Sequence, residues 1–433
     1  MYNYDDAVDV GRIALAFSQV LRREVKGSDL GGLLRSIWSK EARWLVLAVL
    51  ATLGIARAGL GANSASAQPQ DFSDEARLLY RVVACGGNVP LPANLDPQVV
   101  AQHCAWLRPR MARYRRVYLA RAKPFFASIE PRPLPDKVVY PFGGGDLLAA
   151  LTTYPDAREY TTLSLELSGD PRRIADLDSV RLTESLDLVD RSVGPLLSAN
   201  DSTSETLEST QQGDLPGQLC FFLIALAVHG YEPVSLRYFR VEKDGTLHYY
   251  SVEEVRSLEN KLAHRRHGNW TAPDFSEAYT NSELTFRPAG KDGPLLVHRH
   301  IAANLRDDSL RWHPGVLRYL ERQGHIAAMT KAASYCLWNP MFSRIRGYLL
   351  ANMDFMVSDS TGIPPGLATE AGFVQQTYGS FHGSFLDASE EYNDQFRELW
   401  AQQPARKLSF RYGYLDSEKA YHLVITRRAP SKS

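Results

Sequence analysis

The sequence predicts an α/β fold, a mixed and largely parallel sheet with flanking helices, antiparallel hairpin additions and an N-terminal helical hairpin. Three observations predict it. Residues 138–167 read as strand, helix and strand, the unit that sets neighbouring strands parallel through a right-handed crossover. Short β-rich runs then keep alternating with runs of helical period. Two pairs of runs are joined by turns too short for a crossover, at Asp244-Gly245 and Asp416-Ser417, and read as hairpins. The hairpins argue against a closed (β/α) barrel.

The 49 basic and 49 acidic residues in a chain of 433 cancel, which excludes a bulk-charge nucleic-acid binder and an acidic disordered tail. Arginine outnumbers lysine, a skew we read as GC-rich bacterial coding. Trp44 to Ala56 is almost unbroken in its apolarity, follows Arg35, Lys40 and Arg43, and leads to Ala65-Ser66-Ala67. A positive flank, an apolar core and an A-x-A exit are the parts of a secretory signal, so residues 34–67 are read as one, cut after Ala67. Met1 is the only methionine before Met111, and the long stretch ahead of the core points to a non-standard start near Leu33 or Leu34. A membrane anchor over 44–56 falls short of the ~20 residues a span needs. A buried helix is the third reading.

The expected organisation is a removed extension and signal over 1–67, a helical hairpin over 68–130 and an α/β domain over 131–433. The expected location is periplasmic or extracellular, without a stable membrane span after processing. The partner is then a small molecule or an envelope or extracellular protein, and not nucleic acid.

Residues 73–84 read as a helix capped by Ser73 or Asp74 and stopped by Gly86-Gly87; a second helix opens after Pro97. In an oxidising compartment Cys85 and Cys104 are expected to bridge the two, whereas Cys220 and Cys336 lie in apolar runs as core thiols. After the prolines at 131, 133 and 135, Val138 to Phe142 reads as a strand, Gly143-Gly144-Gly145 as a turn, and Asp146 as the cap of a helix through Leu151. Glu159 to Leu167 is the next strand, 198–214 a polar loop, and Leu219 to Val228 a buried helix stopped by Gly230. Val234 to Val241 pairs with Thr246 to Val252; Glu283 to Phe286 and Leu295 to Ile301 are strands. Helix and strand then alternate at 314–322, 325–330, 342–350 and 355–357, and Leu408 to Tyr414 with Tyr421 to Thr426 forms a final hairpin.

Ligands of open parallel sheets bind where strands end at their carboxyl side. Gly143, Gly144, Gly145 and Asp146 stand at such an end, with Glu166 roughly twenty residues on at the end of the next strand. Glycines let a backbone approach a ligand, the helix start offers N–H groups, and the acid can accept ribose hydroxyls. Over some thirty residues this resembles the cofactor-binding entry of Rossmann-like folds, including class I methyltransferases. The resemblance implies S-adenosylmethionine or a nucleotide at these five residues, although the spacing is G-G-G-D and not G-x-G-x-x-G.

His298 and His300 share a face of a predicted strand and form two of the three ligands a catalytic divalent metal requires; His325, Asp359 and His382 are candidates for the third. Ser358 to Pro365 follows another strand, where Asp359 and Ser360, with Lys331 at the neighbouring strand's end, are the candidate catalytic groups. His382 would be the base for Ser360, without a G-x-S-x-G elbow to support it. Phe373, Tyr378, Phe381, Phe385, Tyr392, Phe396 and Trp400 read as a satellite core, or else as a grip for carbohydrate or protein. The sequence therefore points to an exported ligand- or partner-binding protein with a degenerate Rossmann-like site. The alternatives are a metal-dependent hydrolase using His298 and His300 and an S-adenosylmethionine-binding, methyltransferase-like enzyme.

Overall fold

The computed structural model describes residues 68–131, 133–199, 214–259, 262–263, 266–267, 270–271, 275–333, 337–382, 390–413 and 421–429. The signal segment, Cys336, Phe385, the Asp416-Ser417 turn and nearly all of the 198–214 loop lie outside them.

Two helices, α1 (Ser73–Val83) and α2 (Pro97–Tyr114), open the described chain. Asp96 caps α2 by accepting from Gln98 N, and a π-helical stretch, Arg115–Leu119, carries it into α3 (Ala120–Ile129). A Cys85–Cys104 disulfide joins the residue two past the end of α1 to the middle of α2, with Cα atoms 5.5 Å apart. Then come β1 (Lys137–Pro141), α4 (Leu147–Thr153) and β2 (Glu159–Ser164), the predicted unit. They are followed by α5 (Ser179–Ala199), α6 (Gly217–His229), β3 (Tyr231–Val241), β4 (Leu247–Tyr249) and α7 (Val252–Glu259). Next are β5 (Asn281–Pro288), β6 (Leu296–Ala302), α8 (Asp307–Trp312), α9 (Gly315–Glu321) and β7 (Ile326–Met329). The last elements are α10 (Ser343–Asn352), β8 (Met353–Ser358), α11 (Pro365–Glu370), β9 (Phe373–Gly379), α12 (Glu390–Ala401) and β10 (His422–Arg428).

Ten of these strands form one sheet in the order β9-β10-β8-β7-β1-β2-β6-β5-β3-β4. Its middle five, from β8 to β6, are mutually parallel. The remaining pairings are antiparallel and outnumber the parallel ones among the described residues, so the sheet is mixed and not largely parallel. Two of the antiparallel pairings, β3 with β4 and β5 with β6, follow from connections too short to hold a crossover helix.

Alternation along the strands divides the core. Val138 and Tyr140 of β1, with Ala327 and Met329 of β7, face the layer of α1, α2, α4, α5 and α6. Val139 and Ala328 face α8, α9, α10 and α11. Part of the aromatic segment forms a satellite cluster of Phe381, Tyr392 and Phe396, with Trp338 and Trp400 against it, whereas Phe373 and Tyr378 join the two main cores.

Two expectations fail locally. The return strand stops at Tyr249 because Ser251 and Glu254 form a capping box, Ser251 N donating to Glu254 Oε2 (2.9 Å) and Glu254 N to Ser251 Oγ (3.3 Å), which starts α7. The final hairpin does not form either. Residues 408–413 are not a strand, and β10 inserts between β8 and β9, giving its backbone two neighbours instead of one. Among the described residues no helix is long and apolar enough to cross a membrane.

Candidate functional site

The carboxyl ends of β1, β7 and β8 adjoin, and the polar residues predicted there come together. In each strand the period of two continues past the last ladder residue, so Lys331 and Asp359 fall on the same face as Tyr140. Asp146 caps α4 by accepting from Ala149 N (3.1 Å), which leaves its other oxygen, Oδ2, 2.6 Å from Lys331 Nζ. Both side chains are 1% exposed. The Tyr140 hydroxyl donates to the same Asp146 oxygen (3.2 Å). Burial, then the Asp146 charge, pushes the Tyr140 phenol well above its ordinary value, so it stays a donor.

Asp359 is held by three donors: Ala332 N (2.8 Å), Thr361 N (2.9 Å) and the Thr361 hydroxyl. Gly413 passes so close that a Cβ there would stand 1.8 Å from Asp359 Oδ2, and its φ is +69°. Three non-glycine residues among those described have positive φ. One is Cys85, in the disulfide; the other two are Phe142 (φ 61°), just after β1, and Ala332 (φ 49°), just after Lys331. The backbone is therefore strained on both sides of the Asp146–Lys331 pair. The Phe342 ring closes over Phe142 at 5.2 Å. At the same strand ends the Ser164, Thr330 and Ser358 hydroxyls are buried without a hydrogen-bond partner.

Ser360 is also buried here, and the imidazole within reach of its Oγ is His422 Nε2, at 3.0 Å, instead of His382. His422 opens β10, so the contact follows from the strand insertion that sequence reading missed. The Ser360 carbonyl accepts from the Tyr392 hydroxyl.

His298 and His300 do share a face, under the Phe222 ring. Thr162 Oγ1 lies between them, 2.9 Å from His298 Nε2 and 3.1 Å from His300 Nδ1, and His300 Nε2 meets the Glu166 carbonyl at 2.8 Å. A carbonyl only accepts, so a neutral His300 carries its proton on Nε2, accepts a hydrogen bond from the Thr162 hydroxyl on Nδ1, and leaves Thr162 to accept from His298 Nε2. Burial, with the neighbouring His300 imidazole and the Arg299 charge, drives the His298 pKa well below 6.5. Among the described residues no three His, Cys, Asp or Glu side chains group as a metal site. His325 instead faces Asp354 at 3.0 Å on the surface.

Arg299, on the opposite face, belongs to a charged row across four strands. Its Nε meets Glu283 Oε2 (2.7 Å) and its Nη1 Glu159 Oε2 (2.8 Å), while Arg237 takes the other Glu283 oxygen.

The glycine turn packs inward. A Cβ on Gly145 would stand 2.7 Å from Gln218 Oε1, at the start of α6, and 3.1 Å from Phe221 Cβ, so the turn lies close against this helix. Gln218 was not singled out from sequence, where it is one polar residue opening an apolar run. No protein-family model matches this chain, and no curated protein matches it.

Proposed function

We propose that the chain is an exported binding protein that holds a small polar ligand in the crevice at the carboxyl ends of β1, β7 and β8. The observation that carries this reading is the Asp146–Lys331 pair, fully buried between two strained non-glycine residues. Ionic groups and strain are costly to maintain and concentrate at sites of function.

The strand order supports a Rossmann-like interpretation. Numbered along the chain, the five parallel strands run 3-2-1-4-5, and the order reverses between β1 and β7, the position where open α/β sheets take ligands. The buried hydroxyls of Ser164, Thr330 and Ser358, short of partners, add polar capacity at the same edge. The Cys85–Cys104 bridge supports export, since such bonds persist in oxidising compartments. S-adenosylmethionine is the second reading, favoured by Glu166 two residues past the end of β2, the strand after the glycine turn.

The test is thermal melting of the chain with a panel of nucleotides, amino acids, sugars and S-adenosylmethionine. One class is expected to raise the melting temperature saturably, and Lys331→Gln to weaken that ligand at least about tenfold, the loss of one charge-assisted bond. A ligand whose binding ignores Lys331 would refute the crevice reading. Intact-mass measurement of secreted protein tests export, with Gln68 as the expected first residue.

A further inference from the structure

We infer that the amino end of α6 and the Gly143–Gly145 turn form an oxyanion subsite, taking a phosphate or carboxylate of the bound molecule, with Gln218 as the side chain that reads it. The inference deepens the crevice reading above and rests on it. Gln218 is 0% exposed, and neither atom of its amide finds a hydrogen-bond partner. A buried amide without partners is a net cost to the fold, and a side chain retained at that cost calls for something to satisfy it.

Its position says what that something is. Gln218 is the second residue of a thirteen-residue helix whose amino end no side chain caps. Leu219 N already donates to Ser168 O (3.2 Å) and Cys220 N to Pro216 O (3.0 Å), so this end offers the N–H groups of Gly217 and Gln218 and the positive pole of the helix dipole, which together favour an anion. The amide lies against the backbone of Gly145, in a turn fastened to β2 by the Gly143 N to Leu163 O bond (3.1 Å). Ser164, next in the chain, contributes another buried hydroxyl without a partner. Asp146, the carboxylate nearest in sequence, is matched by Lys331 and so does not oppose an anion as a bare charge would. One turn further along α6, the Phe222 ring packs on His298 and His300.

The experiment titrates the full chain with inorganic phosphate and, in a parallel arm, with acetate, at ionic strength held constant with chloride, and reads the melting temperature. At least one anion is expected to give a saturable rise on the order of 2 °C; which arm responds identifies the source as phosphate or carboxylate. Gln218→Leu removes the orphan amide at similar volume, so without anion it is expected to melt no lower than the parent. Its titration midpoint should move at least about tenfold, and Gln218→Glu should abolish the response. A Leu variant that titrates like the parent overturns the inference, and so does a parent chain indifferent to both anions. Lys331→Met combined with Asp146→Asn, which leaves no bare carboxylate beside the turn, separates the two levels. A response lost there but kept in Gln218→Leu leaves the crevice standing and removes the subsite; the reverse pattern keeps the subsite and removes the crevice.

Discussion

Lys331 Nζ and Asp146 Oδ2 stand 2.6 Å apart between the ends of the two central parallel strands, and neither group touches solvent. Removing one partner of such a pair strands the other charge in the interior. Lys331→Met is expected to lower unfolding stability by about 3–5 kcal/mol. Asp146→Asn added to it should recover part of the loss, because asparagine can still cap α4 but carries no charge. Urea unfolding of the two variants checks this; a double variant less stable than Lys331→Met would show that the pair is not coupled.

Gly413 and Asp359 pack as tightly as backbone and carboxylate can. Gly413→Ala combines a clash with an unfavourable φ, which alone costs about 1–3 kcal/mol. It should also push Asp359 off the Ala332 amide it holds. Faster hydrogen exchange at Ala332 is the expected signature, and unchanged protection there would count against the proposed packing.

Glu283 and His298, like His229, make the fold sensitive to acid. Burial pushes the Glu283 carboxyl up, but the Tyr249 hydroxyl and the Arg299 and Arg237 charges outweigh it and hold the carboxyl below its usual range. Its contribution is complete above the unfolded value of ~4.3 and is lost as pH falls through the lower folded value. His298 is kept neutral, mainly by burial, so its contribution is complete above the unfolded value of ~6.5 and declines below it by up to ~1.4 kcal/mol per pH unit. Unfolding free energies at several pH values between 4.5 and 7 should slope less steeply in His298→Gln than in the parent. Glu283→Gln should flatten the profile only below that interval. Profiles parallel to the parent's would contradict both assignments.

The Cys85–Cys104 bond spans 19 residues, and closing a loop of that size in the unfolded chain is worth about 3 kcal/mol. Replacing both cysteines with alanine should lower stability by that order, and reductant should shift the parent toward the double variant. A parent insensitive to reductant after full thiol release would dispose of the estimate.

What sequence revealed was mostly local. The strand-helix-strand unit, the Asp146 cap and the stop at Gly230 each depend on a few neighbouring residues, and all appear in the structure, although the second strand ends at Ser164 and not at Leu167. Helix α5 was overlooked although Leu182, Leu186, Val189, Val193 and Leu196 repeat at helical spacing and are buried. The Ser251–Glu254 box was equally readable. By contrast, the insertion of β10, the choice of His422 over His382 and the approach of Gln218 to Gly145 depend on residues distant in the chain. No period or propensity in one segment encodes them. Lys331 was legible only as a strand-end residue, because its partner lies 185 positions earlier on another strand's exit.

The insertion of His422–Arg428 between β8 and β9 sets the order of assembly during synthesis. Strands 353–358 and 373–379 emerge from the ribosome first and must wait, each with an open hydrogen-bonding edge, until their common neighbour arrives some fifty residues later. That interval is when a nascent chain is most prone to pair with the wrong strand. A nonsense mutation ahead of residue 422 would therefore prolong the hazard indefinitely, and should yield aggregate in place of a shorter native protein.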